Sequence, residues 1–221
     1  MVQFPIGGRG VGLAPALFAA ALVLLGAQAR AEAETVIHGA YSEAAARTDE
    51  SQTVPDFPVW KRITLGTHKG VNAVRDALEA HNIRMGESAD EILGRPAFRF
   101  SKIRTPLDLV VVTAIDLGFA PGSRSLAEIY RRAAQLGLEL CPPEAAPQLR
   151  LEYLNQPIGE FLHVAMAPVA TYSGALVDLT VGNGGAGLIL IGGDGSPDLM
   201  LHSSVKFVFV RPTRIALPNN P

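Results

Sequence analysis

Cysteine is almost missing from this 221-residue chain, which contains only Cys141. A single cysteine excludes an intrachain disulfide, so the fold has to be stabilised by packing. Free cysteines are among the most buried residue types, but a thiol can also form an intermolecular bridge or act as a nucleophile. We therefore expect Cys141 to be buried, with the other two roles kept as alternatives.

The chain also has no excess of basic charge. Residues 1–31 hold two of the 19 basic residues and none of the 21 acidic ones, which leaves 17 basic against 21 acidic residues, or a net charge of −4, for the remainder. A nucleic-acid surface needs a basic stripe. The composition therefore predicts no nucleic-acid partner.

No apolar run in the chain reaches the ~20 residues that a membrane-spanning helix needs. The longest run, residues 13–25, follows Arg9 and precedes the small residues of the sequence Ala27-Gln28-Ala29-Arg30-Ala31. This order is typical of a signal peptide cleaved after Ala31, with Ala29 and Ala33 as alternative sites. We predict a periplasmic or secreted protein with no stable membrane span after cleavage.

Composition divides the rest of the chain into three parts. Residues 32–57 are small and polar without an apolar period, which predicts a disordered linker. Residues 58–212 are long and apolar enough for one domain with its own core. Residues 213–221 are predicted to form a loose tail.

The first half of the domain predicts alternating strands and helices. Apolar residues at three- and four-residue spacing predict helices over 70–81 and 125–136, and a capping box is expected at Ser125–Glu128. A second capping box at Ser88–Glu91 predicts a short helix over 89–93. Strands are predicted over 59–65, 97–100 and 107–114, the last of them buried on both faces.

The second half predicts strands and turns. Gly137 ends the second helix, and the two prolines after Cys141 force an extended corner. Strict alternation over 149–153 predicts a strand paired in a hairpin with 160–169, and further strands are predicted over 175–181, 187–191 and 205–210. We predict an α+β fold, in which an N-terminal α/β half packs two main helices on a sheet that a C-terminal antiparallel meander continues.

One catalytic constellation is conceivable from the residue types. Cys141, His163 and Asp178, with Glu160 as an alternative acid, follow the order nucleophile, base and orienting acid that thiol hydrolases use. Against this, Cys141 lies at a helix exit before two prolines, and His163 is placed in mid-strand. The sequence favours no catalytic site, and keeps this triad as the less favoured hypothesis.

Two further motifs have ordinary explanations. Residues 182–187 match Gly-x-Gly-x-x-Gly, but a strand follows where a dinucleotide site needs a helix, so a hairpin turn and no cofactor are predicted. Asp194 and Asp198 are weak candidates for a calcium turn, without the spacing of a known loop. The five histidines show no ligand spacing, and no metal site is predicted.

Several stretches resemble a group of uncharacterised bacterial hypothetical proteins. The resemblance runs from Trp60 to Arg211 and centres on the motif Leu-Gly-Leu-Glu-Leu-Cys-Pro-Pro-Glu at residues 136–144. Its other matching stretches are 65–69, 92–98, 147–151 and 207–211. The resemblance implies a domain boundary and no activity.

The sequence therefore favours an exported, non-enzymatic binding or interaction domain. Its expected partner is an unidentified protein or small molecule. The alternatives are a Cys141-dependent thiol hydrolase or transferase, and a structural protein of the cell envelope.

Overall fold

Residues 56–212 are described by the computed structural model, and they form one mixed sheet, a small second sheet and four helices. The helices are α1 (Val71–Ala80), α2 (Glu87–Leu93), α3 (Leu126–Gln135) and α4 (Ala145–Glu152). The strands, in chain order, are β1 (Lys61–Leu65), β2 (Arg84–Met85), β3 (Thr105–Val112), β4 (Ser123–Ser125), β5 (Phe161–Ala170), β6 (Leu176–Gly184), β7 (Gly187–Asp194), β8 (Met200–His202) and β9 (Lys206–Val210).

The main sheet has seven strands in the order β1-β3-β9-β5-β6-β7-β2, and β4 pairs with β8 in the second sheet. Strands β5, β6 and β7 form the antiparallel meander, but β9 does not extend it. Instead β9 lies between β3 and β5, antiparallel to the first and parallel to the second. The predicted α+β class with a C-terminal meander is confirmed.

Side chains alternate between the two faces of this sheet, because successive residues of a strand point in opposite directions. One face, here called the apolar face, packs against α1, α2 and α4 through residues such as Leu78, Ile92 and Leu149. The other, called the α3 face, packs against α3, where the Tyr130 ring lies edge-on to Phe207 and Phe209. The sheet is therefore the middle layer of the fold.

The two main helices match their sequence patterns. In α3 the Ser125 side chain accepts from the Glu128 backbone N–H, and the Glu128 side chain accepts from the Ser125 N–H, so the predicted capping box is present. The predicted box at Ser88 is wrong. Helix α2 begins two residues earlier than predicted, at Glu87 after Gly86, and the Ser88 hydroxyl donates to the carbonyl of Gly192 instead.

The predicted strand at 149–153 is wrong, because residues 145–152 form α4. The alternation of Leu149, Leu151 and Tyr153 is real, but Arg150 between the first two is fully buried rather than exposed. The hairpin expected from this strand is therefore absent from the described residues, and β5 pairs with β6 and β9 instead.

Of the two strands predicted directly after α2, one is absent and the other is present with a different start. Residues 97–100 are not a strand. Strand β3 starts two residues earlier than predicted, with Thr105 and Pro106 exposed. Only its second half is buried on both faces, since Leu109 and Val110 are both buried.

Helix α4 covers the free edge of β1 with one stripe of polar side chains. Glu144, just before the helix, accepts from the N–H of Gly66 at 2.8 Å, and Glu152 accepts from the N–H of Thr64 at 3.3 Å. Gln148, midway between them, accepts from the Thr67 hydroxyl. A bare strand edge invites pairing with another chain, and these side chains occupy it.

Candidate functional site

His163 and Asp178 are brought together on the α3 face. Strands β5 and β6 pair with His163 opposite Thr180, which places Asp178 two residues along on the same side of the sheet. The His163 Nε2 atom lies 2.8 Å from the Asp178 Oδ2 atom, and the two side chains are 10% and 1% exposed. Two members of the hypothetical triad are therefore neighbours.

The carboxylate of Asp178 is enclosed as well as buried. A Cβ added at Gly193, opposite it on β7, would lie 3.2 Å from Oδ1. Among the described residues, no donor reaches either carboxylate oxygen with good hydrogen-bond geometry. The close approach of His163 is therefore the contact that offsets the burial of this acid.

Aromatic side chains enclose the imidazole. Its ring centroid lies 4.9 Å from that of Phe207, and the Tyr130 hydroxyl is 3.4 Å from Nε2. An aspartate-oriented histidine can act as a base when its ring faces a substrate cavity. Here the residue is 8% exposed, so the arrangement fits a structural pair that joins β5, β6 and α3.

Cys141 lies on the other side of the sheet. It bridges to Met166 and packs among Val164, Met166 and Val208 of the apolar face. Val164 is the neighbour of His163 in β5, and Val208 is the neighbour of Phe207 in β9. Because neighbouring strand residues point to opposite faces, the Cys141 thiol and the His163 imidazole are separated by the sheet.

The surroundings of Cys141 also oppose reactivity. The residue is 2% exposed, and burial raises the pKa of its thiol far above the ordinary value. The Cys141 thiol donates a weak hydrogen bond to the Val208 carbonyl oxygen, with the Sγ atom 3.5 Å from it. A nucleophilic cysteine needs a lowered pKa and access to substrate, and Cys141 has neither.

Glu160, the alternative acid, belongs to a different part of the surface. Its Oε1 accepts from the Lys206 ammonium at 2.9 Å, and its Oε2 accepts from the Tyr153 hydroxyl at 2.9 Å. Partial burial opposes ionisation, but these hydrogen bonds hold the pKa of Glu160 below its ordinary value. Burial and the bond to Glu160 raise the pKa of Tyr153 to about 12.

The two metal candidates do not form a ligand set. Asp194 accepts from the backbone N–H and the hydroxyl of Ser196 at 2.9 and 2.5 Å, and these bonds lower the pKa of its carboxyl. Within residues 56–212, no group of three or more His, Cys, Asp or Glu side chains is placed to hold a metal ion. The glycine motif forms the β6–β7 turn, with Gly184 paired to Gly187.

An open groove lies beside the start of β5. It has a volume of about 580 Å³ and is lined by residues 157–161 and 204–206. Ile158 and Phe161 contribute its apolar surface and are 81% and 46% exposed. The Phe161 ring covers Gly182, where an added Cβ would lie 2.6 Å from the ring, so the ring rests on the backbone of β6.

A buried arginine supports the segment that leads to this groove. Arg150 donates to the Gly182 carbonyl at 2.9 Å, and also to Gln156 and to the Tyr153 carbonyl. Burial lowers its pKa to about 10. Within residues 56–212, no carboxylate pairs with it. The buried Arg150 guanidinium therefore fixes the turn at residues 153–156, which leads into the groove, to strand β6.

Sequence reasoning missed both buried charges of the α4 region, Glu144 and Arg150. A strand was predicted there, which would have placed Arg150 in solvent. The available signal was the spacing of Glu144, Gln148 and Glu152, because polar residues four apart share one side of a helix.

Comparisons with protein-family models, with curated proteins and with solved structures found no match to this chain. The resemblance to the bacterial hypothetical proteins stays a prediction. Among residues 56–212, no helix has the length and apolar character required to cross a membrane.

Proposed function

We propose that this chain is an exported, non-enzymatic binding domain, and that the groove at residues 157–161 and 204–206 takes a protein partner. The observation that carries the proposal is the exposure of Ile158 and Phe161 beside the Glu160–Lys206 ion pair. An apolar anchor with a polar rim is the usual anatomy of a protein interface. A small-molecule site encloses most of its ligand, whereas this groove is open.

The position of Cys141 supports a non-enzymatic role. Its thiol is buried, has a raised pKa and lies across the sheet from His163. A Cys141-dependent hydrolase would require the thiol to reach both a base and a substrate. The proposal therefore assigns Cys141 to the core.

A peptide-display selection against the immobilised chain tests the groove. Calorimetry then compares selected peptides on the wild type and on Ile158→Asp, with Ile115→Asp as the matched control because Ile115 is also exposed, at 50%. We expect Ile158→Asp to weaken binding by about tenfold or more, since a central apolar anchor is replaced by a charge. Equal binding of the peptides by all three proteins would refute the groove as the binding site.

Export is tested separately, because its evidence lies in residues 1–31, outside the described residues. Expression of the full chain in a bacterial host, followed by fractionation and intact-mass measurement, should give a periplasmic or secreted product that begins at Glu32. An uncleaved chain retained in the cytoplasm would overturn the export prediction without affecting the groove.

A further inference from the structure

The connection between α2 and β3 is basic along its whole length. The connection, residues 94–104, contains four basic residues and no acidic residue, although the chain as a whole is slightly acidic. One of the four, Arg95, is occupied: it donates to the Ala170 carbonyl at 3.0 Å and stacks on Tyr172 at 4.0 Å. The other three are Arg99, Lys102 and Arg104.

These three cations are available to an external partner. All three are exposed, and none forms an ion pair with another residue of the range 56–212. Unpaired cations gathered in one loop produce a local positive potential even on an acidic protein. We call residues 99–104 the basic loop.

The basic loop carries an isoleucine at its tip. Ile103 lies between Lys102 and Arg104 and is 74% exposed. An isoleucine this exposed gains nothing from the protein core, and the adjacent charges would disfavour burial against an apolar protein surface. A lipid interface accepts both side-chain types, since apolar groups enter the acyl boundary while cations meet the phosphates.

A hydrogen bond to Glu144 and a close backbone contact with Gly66 hold the basic loop in place. The Ser101 N–H donates to Glu144 Oε2 at 2.7 Å, while the Gly66 N–H donates to Oε1 at 2.8 Å. Gly66 has φ +72°, and an added Cβ would lie 2.2 Å from the Ile103 carbonyl oxygen, so only glycine fits. This contact brings the 66–70 turn, with exposed Lys69, beside the basic loop. A preordered loop loses less entropy on binding.

We propose that the basic loop docks this domain on an anionic phospholipid surface, with Ile103 entering the interface and Arg99, Lys102, Arg104 and Lys69 facing the lipid phosphates. The site is independent of the 157–161 groove. It gives the domain a membrane-peripheral position without a spanning segment.

Co-sedimentation tests this with vesicles of phosphatidylglycerol and phosphatidylethanolamine at a 1:1 ratio, and with pure phosphatidylcholine vesicles for comparison. All variants keep the same N-terminus, so that differences report the loop rather than the apolar run of residues 13–25. We expect wild type to bind the anionic vesicles, more weakly as salt rises, and to bind phosphatidylcholine much less.

Two pairs of variants separate charge from insertion. Lys102→Glu/Arg104→Glu should lower partitioning about thirtyfold or more, since each cation near an anionic surface contributes about fivefold. The control Arg84→Glu/Arg131→Glu makes the same change in net charge at exposed positions elsewhere and should have little effect. Ile103→Ser should cost about tenfold, and Ile115→Ser little.

Three results would overturn the proposal. The first is equal partitioning by both charge-reversal variants, which would mean that net charge alone governs binding. The second is an unchanged partition coefficient for Ile103→Ser, which would mean that nothing is inserted. The third is binding to the soluble polyanion heparin as tight as to vesicles and insensitive to Ile103, which would identify a general anion site. Thermal unfolding of each variant confirms that the fold is kept.

Discussion

The two faces of the main sheet are sealed in different ways. The apolar face is covered by three helices and buries aliphatic side chains, with the Cys141 thiol among them. The α3 face is covered by a single helix and buries a histidine, an aspartate and the hydroxyl of Tyr130 along with its phenylalanines. The apolar side also holds two buried charged residues, Glu144 and Arg150, but their partners are backbone groups and a neutral side chain. The α3 face instead brings two titratable side chains, His163 and Asp178, against each other.

Sequence reasoning grouped Cys141 with His163 and Asp178 as catalytic candidates, but the structure places them on different faces of the sheet. A thiol in the apolar face behaves as a small apolar side chain. The polar side chains of His163 and Asp178 are costly to bury, and they are tolerated in the α3 face because they lie 2.8 Å from each other. The two groups are close in the fold, but they belong to different environments.

Removal of one member of the His163–Asp178 pair should have the largest effect. Asp178→Ala leaves His163 without its partner, and loss of one member of a buried pair costs about 3–5 kcal/mol of unfolding free energy. Urea unfolding monitored by circular dichroism measures this. Asp198→Ala, at an exposed acid, is the control and should change stability by less than about 0.5 kcal/mol.

A double-mutant cycle with His163→Ala shows whether the two side chains act together. Coupled residues give a double variant less destabilised than the sum of the single variants. Simple additivity would mean that the pair contributes no interaction energy, and the contrast between the two faces would then rest on packing alone.

Loss of the Glu144 carboxylate should come next. It lies beside α4, on the apolar side of the sheet, and accepts two backbone N–H groups. Glu144→Ala should cost about 3 kcal/mol, because hydrogen bonds to a charged group contribute about 1.5–3 kcal/mol each. Glu144→Gln keeps an acceptor oxygen and should cost about half as much. The exposed Glu139→Ala is the control in the same denaturation experiment.

Cys141→Ser should have a smaller effect, because it exchanges a thiol for a hydroxyl within apolar surroundings. We expect a loss of about 1–3 kcal/mol. Alkylation of the wild-type thiol by iodoacetamide should be slow in the folded protein and should accelerate with urea in step with unfolding, since burial raises the thiol pKa. Rapid labelling of the folded protein would return Cys141 to the list of reactive groups.

The smallest effect is expected at the start of α3. Ser125→Ala removes the cap and should cost about 1 kcal/mol at pH 7. The backbone and side-chain hydrogen bonds from Ser125 lower the pKa of Glu128. A carboxyl with a lowered folded-state pKa stabilises above its unfolded pKa, and this contribution is lost as the pH falls through the folded pKa.

The pH dependence gives the check. Thermal melts at pH 7 and at pH 3 should show the wild type losing more of its cap stability on acidification than Ser125→Ala, which keeps the backbone N–H bond to Glu128 but has already lost the hydroxyl bond. Parallel losses in both proteins would show that the Ser125 hydroxyl does not couple to the titration of Glu128.

Local sequence patterns predicted the structure correctly where they fitted only one type of secondary structure. The apolar spacing of α3, its capping box and the glycine turn of β6–β7 each depend on residues close in sequence, and the structure confirms them. The 145–152 segment failed because alternation at Leu149, Leu151 and Tyr153 fits a strand as well as a helix. The choice is decided by the burial of Arg150, whose acceptor at Gly182 is 32 residues away and outside any local window.

The candidate site shows the same division. Proximity of His163 and Asp178 follows from the pairing of consecutive strands, which sequence can suggest. The separation of Cys141 from them depends on which face of the sheet each side chain enters. The face that Cys141 enters is set by residues 139–141, which lie between β5 and β9 beyond the last pair of these strands, Val164–Val208. There Glu139 bridges to Val210 and Cys141 to Met166.

The interior position of β9 has a consequence for how the chain folds. Residues 206–210 close the gap between β3 and β5, so a chain truncated before them holds two separate groups of strands, β1–β3 and β5–β6–β7–β2. Pairing of such distant segments is slow, because the long loop between β3 and β9 must close before their contacts contribute to stability. Closure of the sheet is therefore expected to be the slow step of folding, and the edges of β3 and β5 stay open to pairing with other chains until β9 is in place.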